Sequence, residues 1–317
     1  MAEKCFSAHL CQGMTGKAEK KYINRKAGYC LVQIKRIKRA DGPVVIQNRI
    51  RLGEQGDVLE YLTFPTLEET GMVKHLFTTR LGGVSRGEFS SMSLSFTRGD
   101  EPENVMENYR RIAEVLECKP EDMVAAHQTH TTNIRKVTSA DRGKGITTPR
   151  DYENIDGLIC NEPGIVLVTY FADCVPLYFV DPVHRAIGLA HSGWRGTAAE
   201  MGACMVRAMQ KAYGTEPEDL YTAIGPSICV DCYEVSEDVA VQFKRFPGTV
   251  FRGKAQGKYQ LNLQEANRQI LCKAGVKEER ISVSDICTCC NSEYLFSHRA
   301  SKGRRGNLAA FLEMLYI

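Results

Sequence analysis

A long apolar region from residue 166 to residue 197, VLVTYFADCVPLYFVDPVHRAIGLAHSGWRGT, constrains the fold of this chain more than any other feature. Three runs within it have the length and the β-branched or aromatic content of buried strands: Val166 to Tyr170, Val175 to Val180 and Ala186 to Ala190. Thr197 follows a glycine-rich turn and has the side chain of a helix N-cap, which predicts a helix over Ala198 to Tyr213. The region therefore predicts the buried strands of a central sheet, followed by a helix.

Few polar residues interrupt these strands, and two of them carry reactive side chains. Cys174 precedes the second strand and His191 follows the third. A thiol and an imidazole at the ends of buried strands are suited to hold a metal or to act as a nucleophile and its base. The alternative is that Cys174 is a buried thiol and His191 a core histidine with a satisfied hydrogen bond.

Composition limits the classes of function. The 317 residues suffice for a large core, and the net charge of +3 is too small to indicate nucleic-acid binding. No apolar run has the length of a membrane span, and the first residues lack a signal-peptide core, so we expect a soluble cytoplasmic protein without a membrane partner. The thirteen cysteines are then expected to be reduced thiols rather than a disulfide framework.

Residues 1–56 are predicted to be a basic N-terminal extension. It contains two short β-like runs, Tyr29 to Ile37 and Val44 to Ile50, with a turn signal at residues 41–43 between them, which predicts a small β-hairpin. A solvated basic face explains the charge better than a nucleic-acid-binding arm, because aromatic residues are not interleaved with the charges. Residues 57–317 are expected to form a single catalytic domain.

A site hypothesis combines Cys174, His191 and one of the two histidines of His127-Gln128-Thr129-His130. One thiolate and two imidazoles form a tetrahedral zinc site with one open position, which can hold a water or a substrate oxygen. Arg80 and Arg195 lie on glycine-rich loops, where they are candidates to contact an anion such as phosphate. For Arg80 the alternative is a plain loop.

Further cysteines offer a second set of metal ligands. Cys229 and Cys232 have a C-x-x-C spacing, and residues 287–290 provide three more thiols in the sequence CTCC. Together they could form a Cys₄ zinc site, but a single C-x-x-C is a weak signal, and sequence spacing alone does not bring the two segments together.

From about Val58 to its end the chain resembles the laccase-domain family, which is also described as multicopper polyphenol oxidases and as purine nucleoside phosphorylases of the YfiH, YlmD and FAMIN type. The matching motifs occur in the family's order over roughly four-fifths of the chain: TTRLGGVS at 78–85, ENYR at 107–110, HQTH at 127–130, ADCVPLYF at 172–179, GLAHSGWRGT at 188–197, IGPSI and CYEV within 224–235, and CT and FSHR within 287–299.

The resemblance implies that His130, Cys174 and His191 are the metal ligands, and that His127 is not one. It implies zinc as the metal, and phosphate-dependent cleavage of adenosine, inosine and 5′-methylthioadenosine, with an adenosine deaminase side activity. It also implies an α+β fold in which mixed β-sheets carry helices on their outer faces (a layered α/β/β/α arrangement), and a homodimer.

Alternative activities remain at this point. The same ligands suit one copper ion, but a multicopper polyphenol oxidase also needs H-x-H and H-C-H motifs, which the seven histidines do not form. The H-x-E and P-C-x-x-C signatures of zinc nucleobase deaminases are absent as well. A cysteine-centred amide hydrolase that edits peptidoglycan precursors, with Cys174 as nucleophile, is a second enzyme hypothesis. A non-catalytic metal-binding scaffold is the third.

Overall fold

A computed structural model describes residues 33–37, 44–52 and 57–316. Its strands, β1 to β15 in chain order, are Ile46–Leu52, Asp57–Thr63, Val73–Thr78, Met123–Ala125, Ile134–Lys136, Gly157–Cys160, Val166–Phe171, Val175–Asp181, Ala186–Ser192, Tyr221–Ile224, Glu234–Ser236, Val250–Arg252, Lys258–Leu261, Ile281–Val283 and Leu308–Met314. Its helices, α1 to α7, are Pro65–Glu68, Pro102–Leu116, Trp194–Ala198, Met201–Tyr213, Glu237–Ala240, Leu263–Lys273 and His298–Ser301. Within these residues no helix is both long and apolar enough to cross a bilayer.

Two six-stranded mixed sheets form the centre of the molecule. The first has the strand order β1-β2-β3-β15-β7-β4, with β4 parallel to β7 and the other neighbours antiparallel. The second has the order β14-β10-β8-β9-β6-β5, with parallel pairs at both ends. A three-stranded sheet, β11-β13-β12, lies beside them. The fold is thus α+β, as predicted.

Side chains that alternate along each strand build the layers. In β15, Leu308, Ala310 and Leu312 point into the core between the two large sheets, whereas Ala309 and Phe311 pack against α2. In the second sheet, Tyr178 faces that shared core and Phe179 packs against the layer that contains α4 and α6. The order of the layers is therefore α/β/β/α, which confirms the predicted arrangement.

The extension differs from the predicted hairpin in how its described residues pair. β1 pairs along its whole length with β2, across the predicted boundary at residue 56, and so joins the first sheet. Arg36 forms its bridge with Ile286 rather than with residues 44–50. The predicted turn at residues 41–43 lies outside the described residues. The division of the chain into two parts at residue 56 stays a prediction.

Candidate active site

The three predicted ligands meet where the chain passes from one large sheet to the other. Cys174 lies in the short connection between β7 of the first sheet and β8 of the second. His130 lies in the connection between β4 and β5, which makes the same passage, and His191 is near the end of β9. The β4–β5 and β7–β8 connections and the end of β9 thus bring three residues that are distant in the sequence to one edge of the shared core.

The thiol and the two imidazoles are close enough to hold a single metal ion. One ligand atom from each of His130, Cys174 and His191 lies within 4.8 Å of the others. The Cys174 Sγ is 4.0 Å from His130 Nε2, and the two imidazole rings are nearly perpendicular with centroids 4.9 Å apart. His127, the other candidate, is outside this group, and its Nδ1 accepts a hydrogen bond from the Asn154 amide at 3.2 Å.

Asp156, which the sequence did not single out as a site residue, holds two of these ligands in place. Its Oδ1 lies 2.8 Å from His191 Nδ1 and accepts the backbone N–H of His130 at 3.0 Å. Its Oδ2 accepts the amides of Thr129 and Thr131. Burial would raise the pKa of Asp156, but hydrogen bonding and charge from His191, together with these amides, lower it to about 2. The carboxylate therefore keeps a proton on His191 Nδ1 and leaves Nε2 for a metal.

Cys174 and His191 influence each other's ionisation. Burial would raise the pKa of Cys174, but the charge of His191 and hydrogen bonds from both histidines lower it to about 6. Burial would lower the pKa of His191, but Cys174 and Asp156 raise it to about 9. At neutral pH without a metal, the two residues therefore form a thiolate–imidazolium pair, and the thiolate is the form that binds a metal or attacks a substrate.

The backbone around the centre adopts conformations that are uncommon for residues with side chains. His130 and Asp173 have φ values of 66° and 88°, and such positions cluster at functional sites. Gly193 is also constrained, because a Cβ there would lie 2.8 Å from the His130 ring and 3.0 Å from the Cys174 Sγ. The absence of a side chain at residue 193 therefore leaves room for the centre.

A cavity of about 350 Å³ opens onto the centre and is lined by His130, Cys174 and His191. That volume is within the range of small-molecule sites. Arg98, Arg150 and Arg305 also line it, together with the aromatic rings of Phe96, Tyr170 and Phe171. None of its lining residues in the described part of the chain is Asp or Glu. The cavity is therefore suited to an anionic ligand that also has an apolar part.

Arg305 is the most buried of these arginines, with 8% of its surface exposed. Its Nη1 donates to the backbone oxygen of Gly306 and to Asn307, but its buried Nε–H has no hydrogen-bond partner among the described residues. Burial and the like charge of Arg98 lower the pKa of Arg305 to about 10, so the guanidinium stays charged at neutral pH. A buried guanidinium that lines the cavity is stabilised by an anionic ligand there.

The two arginines predicted from the sequence lie elsewhere. Arg80 is outside the residues that line the cavity; it donates to the carbonyls of Ser90 and Ser292 and lies over the Phe296 ring. Arg195 is exposed, stacks on Trp194 and does not line the cavity either. Arg98, Arg150 and Arg305 line the cavity, and an anion-binding role for Arg80 or Arg195 stays a prediction. In the sequence, Arg305 is marked only by its place in the pair Arg304-Arg305, which does not predict that Arg305 is buried.

The donor atoms of the centre fit zinc. One thiolate and two imidazole nitrogens match a zinc site with one open position, and Asp156 supplies the partner that zinc-binding histidines usually have on their other nitrogen. The same three donors suit a single copper ion. The other group of metal-ligating side chains found among the described residues consists of four cysteines, so it cannot provide the histidine ligands of a trinuclear copper cluster.

Residues 74–315 match the family described as multi-copper polyphenol oxidoreductase laccase, and the chain belongs to this family. Among its relatives are two bacterial proteins named purine nucleoside phosphorylase YlmD. The Bacillus subtilis protein is 38% identical over 245 residues (75% of this chain and 87% of the relative), and the Geobacillus stearothermophilus protein is 41% identical over 243 residues (74% and 88%).

Solved structures agree with this membership. The crystal structure of YlmD from Geobacillus stearothermophilus has a TM-score of 0.75 at 37% identity, and the match covers 84% of this chain and all of that one. The crystal structure of the Bacillus licheniformis hypothetical protein YfiH also has a TM-score of 0.75, at 36% identity, covering 81% and 96%. The layered fold is therefore the fold of the family.

Proposed function

We propose that this protein is a zinc-containing purine nucleoside phosphorylase, a pentosyltransferase that cleaves adenosine, inosine and 5′-methylthioadenosine with phosphate. The observation that carries the proposal is the cavity itself: the buried guanidinium of Arg305 lines a site that has no Asp or Glu among its described lining residues, next to the thiol–imidazole centre. The names of the relatives provide the substrate class. A cytoplasmic location, where the thiols stay reduced, and a homodimer belong to the proposal as well.

In the proposed reaction, a phosphate oxygen attacks C1′ of the ribose, and the bond from C1′ to the purine nitrogen breaks. The electron pair leaves with the base, and the base nitrogen takes up a proton, which gives the free purine and ribose 1-phosphate, or 5-methylthioribose 1-phosphate from 5′-methylthioadenosine. Arg305 and Arg98 bind the phosphate and hold it in place for the attack.

The remaining cavity residues bind the nucleoside and supply the proton. Phe96, Tyr170 and Phe171 provide the apolar wall for the purine. The Phe96 ring stacks on Tyr109, with centroids 5.7 Å apart, and Gln128 fixes the Tyr170 backbone through two hydrogen bonds, so this wall is rigid. When the centre holds no metal, the imidazolium of His191, paired with the Cys174 thiolate, would be the source of the proton for the departing base.

His130, Cys174 and His191 would hold the zinc ion, which when bound supplies a positive charge that polarises a substrate oxygen. Phosphorolysis takes its nucleophile from phosphate, so the role of the metal can be separated by experiment. If the activity falls as zinc is removed, the metal takes part in catalysis. If it rises, the free thiol and imidazoles act alone and zinc occupies the centre only at rest.

The proposed activity is tested with purified protein and inosine, with and without phosphate, while hypoxanthine and ribose 1-phosphate are followed by chromatography. A Cys174→Ala variant is measured beside it. Release of the base should require phosphate and should fall at least 100-fold in the variant. Release that is indifferent to Cys174, or the absence of release, would contradict the assignment for inosine. Ammonia release from adenosine tests the deaminase side activity in the same preparation.

The lowered pKa of Cys174 keeps an amide hydrolase as the second candidate, since a thiolate at neutral pH is a competent nucleophile. The cationic cavity favours a phosphate substrate over a neutral amide. A covalent acyl adduct on Cys174, detected by mass spectrometry after incubation with an amide substrate, would favour the hydrolase.

A further inference from the structure

Two C-x-x-C turns that are far apart in the sequence come together beyond the carboxyl ends of two neighbouring strands of the second sheet. Cys229 and Cys232 follow β10, and Cys287 and Cys290 follow β14. β10 and β14 are parallel neighbours, so their carboxyl ends lie at the same edge of the sheet. The parallel bridge between Ser227 and Cys287 extends this pairing into the two loops. The topology thus provides the juxtaposition that the sequence spacing left open.

The four sulfur atoms are spaced as ligands of a single tetrahedral ion. All four lie within 4.8 Å of one another, and the Cys290 Sγ is 3.9 Å from that of Cys229 and 3.4 Å from that of Cys232. Zinc–sulfur bonds of about 2.3 Å in a tetrahedron put neighbouring sulfurs about 3.8 Å apart. A disulfide would need about 2.05 Å, which none of these pairs approaches. A four-iron cluster places its cysteines on four different metal atoms and needs a wider group.

The surrounding backbone is arranged to support thiolates. The Cys287 Sγ accepts the amide N–H of Cys229 at 3.2 Å and that of Cys290 at 3.4 Å. Cys229 and Cys287 are buried, whereas Cys290 is exposed, which leaves a path for a metal to enter. Cys289 is the neighbouring thiol that does not belong to the group.

We propose that Cys229, Cys232, Cys287 and Cys290 bind a second zinc ion, in a closed structural site separate from the centre at His130, Cys174 and His191. Four thiolates select zinc over magnesium and calcium, and a site without an open position stabilises the fold rather than binding substrate. The ion fastens the loop after β10 to the loop after β14.

This second site is connected to the candidate active site through Asp173, the residue before Cys174. The Asp173 carboxylate accepts hydrogen bonds from the Thr288 hydroxyl at 2.6 Å and the Arg299 amide at 2.7 Å. Thr288 lies inside the second C-x-x-C turn, and the Arg299 guanidinium donates to the carbonyl of Cys232 at 3.1 Å. Hydrogen bonds through Asp173 therefore join the loops of the four-cysteine group to the segment that contains Cys174.

Metal analysis of protein purified under reducing conditions tests the proposal without any assay of activity. The wild-type chain should contain two zinc ions, and the double variant Cys174→Ala, His191→Ala should retain one. Cys290→Ser should also lose one, with a melting temperature lower by about 5 °C. Cys289→Ser, the matched control, should keep both. Cobalt bound to the double variant should show the absorption spectrum of a tetrathiolate site.

Several results would overturn the proposal. These are a double variant that contains no zinc, a Cys290→Ser protein that still contains two ions, iron in place of zinc in the double variant, or a disulfide among the four cysteines in the purified protein. If Cys290→Ser does not fold, the zinc content and the cobalt spectrum of the double variant still decide the question.

Discussion

At the scale of single residues, Asp156 determines the orientation of two of the three candidate ligands. Asparagine has only one side-chain oxygen, whereas the donors around residue 156 use both carboxylate oxygens. In Asp156→Asn, one of two pairs of donors therefore loses its acceptor: His191 and His130, or Thr129 and Thr131. We expect Asp156→Asn to weaken zinc binding about 10- to 100-fold, as changes to the partner of a metal-binding histidine usually do.

Competition with a chromogenic chelator measures this loss. Asp141→Asn is the matched control, because Asp141 is a buried carboxylate that pairs with Arg135 and Lys144 away from the centre. The control should lower stability and leave the zinc affinity of the centre unchanged. Equal zinc affinities in Asp156→Asn and the wild type would show that Asp156 does not orient the ligands.

Gly193 tests the space around the centre. An alanine there keeps a permitted backbone conformation, since φ is −73°, but its methyl group meets His130 and Cys174. We expect Gly193→Ala to reduce zinc binding and nucleoside cleavage at least 10-fold, with little change in the melting temperature. Gly196→Ala is the control, because its added carbon meets atoms no closer than 3.7 Å. A Gly193→Ala protein with normal zinc affinity would disprove the steric account.

The sequence predicted the residues of the centre better than those around it. His130, Cys174 and His191 are carried by motifs, and the structure brings the three together. The positions of Arg98, Arg305 and Asp156 beside the centre were not predicted, because they depend on neighbours that are distant in the chain. A guanidinium in a glycine-rich loop, such as that of Arg80, looks available in the sequence, but backbone carbonyls occupy it in the fold.

At the scale of elements, the strands of the central region were predicted to within two residues, because buried strands leave continuous apolar runs. The helix after them was predicted less well. It is divided into α3 and α4 at Glu200, which has a φ of 59°. The Thr197 hydroxyl bonds to Ser192 and Asn267 instead of capping a helix, so it ties α3 to β9 and α6. These tertiary bonds left no trace in the local sequence.

Glu313 in β15 makes the stability of the first sheet dependent on pH. Burial raises its pKa from 4.5 to about 6, and its Oε2 has no hydrogen-bond partner among the described residues. The pKa of Glu313 is higher in the folded protein than in the unfolded chain. Its contribution to folding stability is therefore most favourable below pH 4.5 and is lost as the pH rises through about 6. We expect Glu313→Gln to raise the free energy of unfolding by about 1 kcal/mol near pH 8, and not near pH 4.5.

Urea denaturation of both proteins at the two pH values measures the difference. The exposed Glu279→Gln variant is the control and should match the wild type at both. If Glu313→Gln gives the same change in stability at both pH values, the carboxylate does not titrate as its burial implies.

At the scale of the whole molecule, the two large sheets explain why the candidate sites lie where they do. The layered class could be predicted from the family motifs, and the passages of the chain between the sheets bring His130 and Cys174 to one edge. The parallel pair β10 and β14 similarly brings two pairs of cysteines together. Spacing in the sequence predicts neither grouping of residues, because both groupings depend on the order of the strands within the sheets.

The central claim is that this fold forms a phosphate site at Arg305 beside the thiol–imidazole centre. The most direct measurement is the steady-state KM for phosphate in inosine cleavage by the wild type, Arg305→Gln and Arg80→Gln. Loss of a charged donor is worth about 1.5–3 kcal/mol, so Arg305→Gln should raise this KM about 10- to 100-fold, with a smaller effect on the KM for inosine. Arg80→Gln should leave both constants unchanged. An increased phosphate KM in Arg80→Gln, with a normal one in Arg305→Gln, would contradict the account.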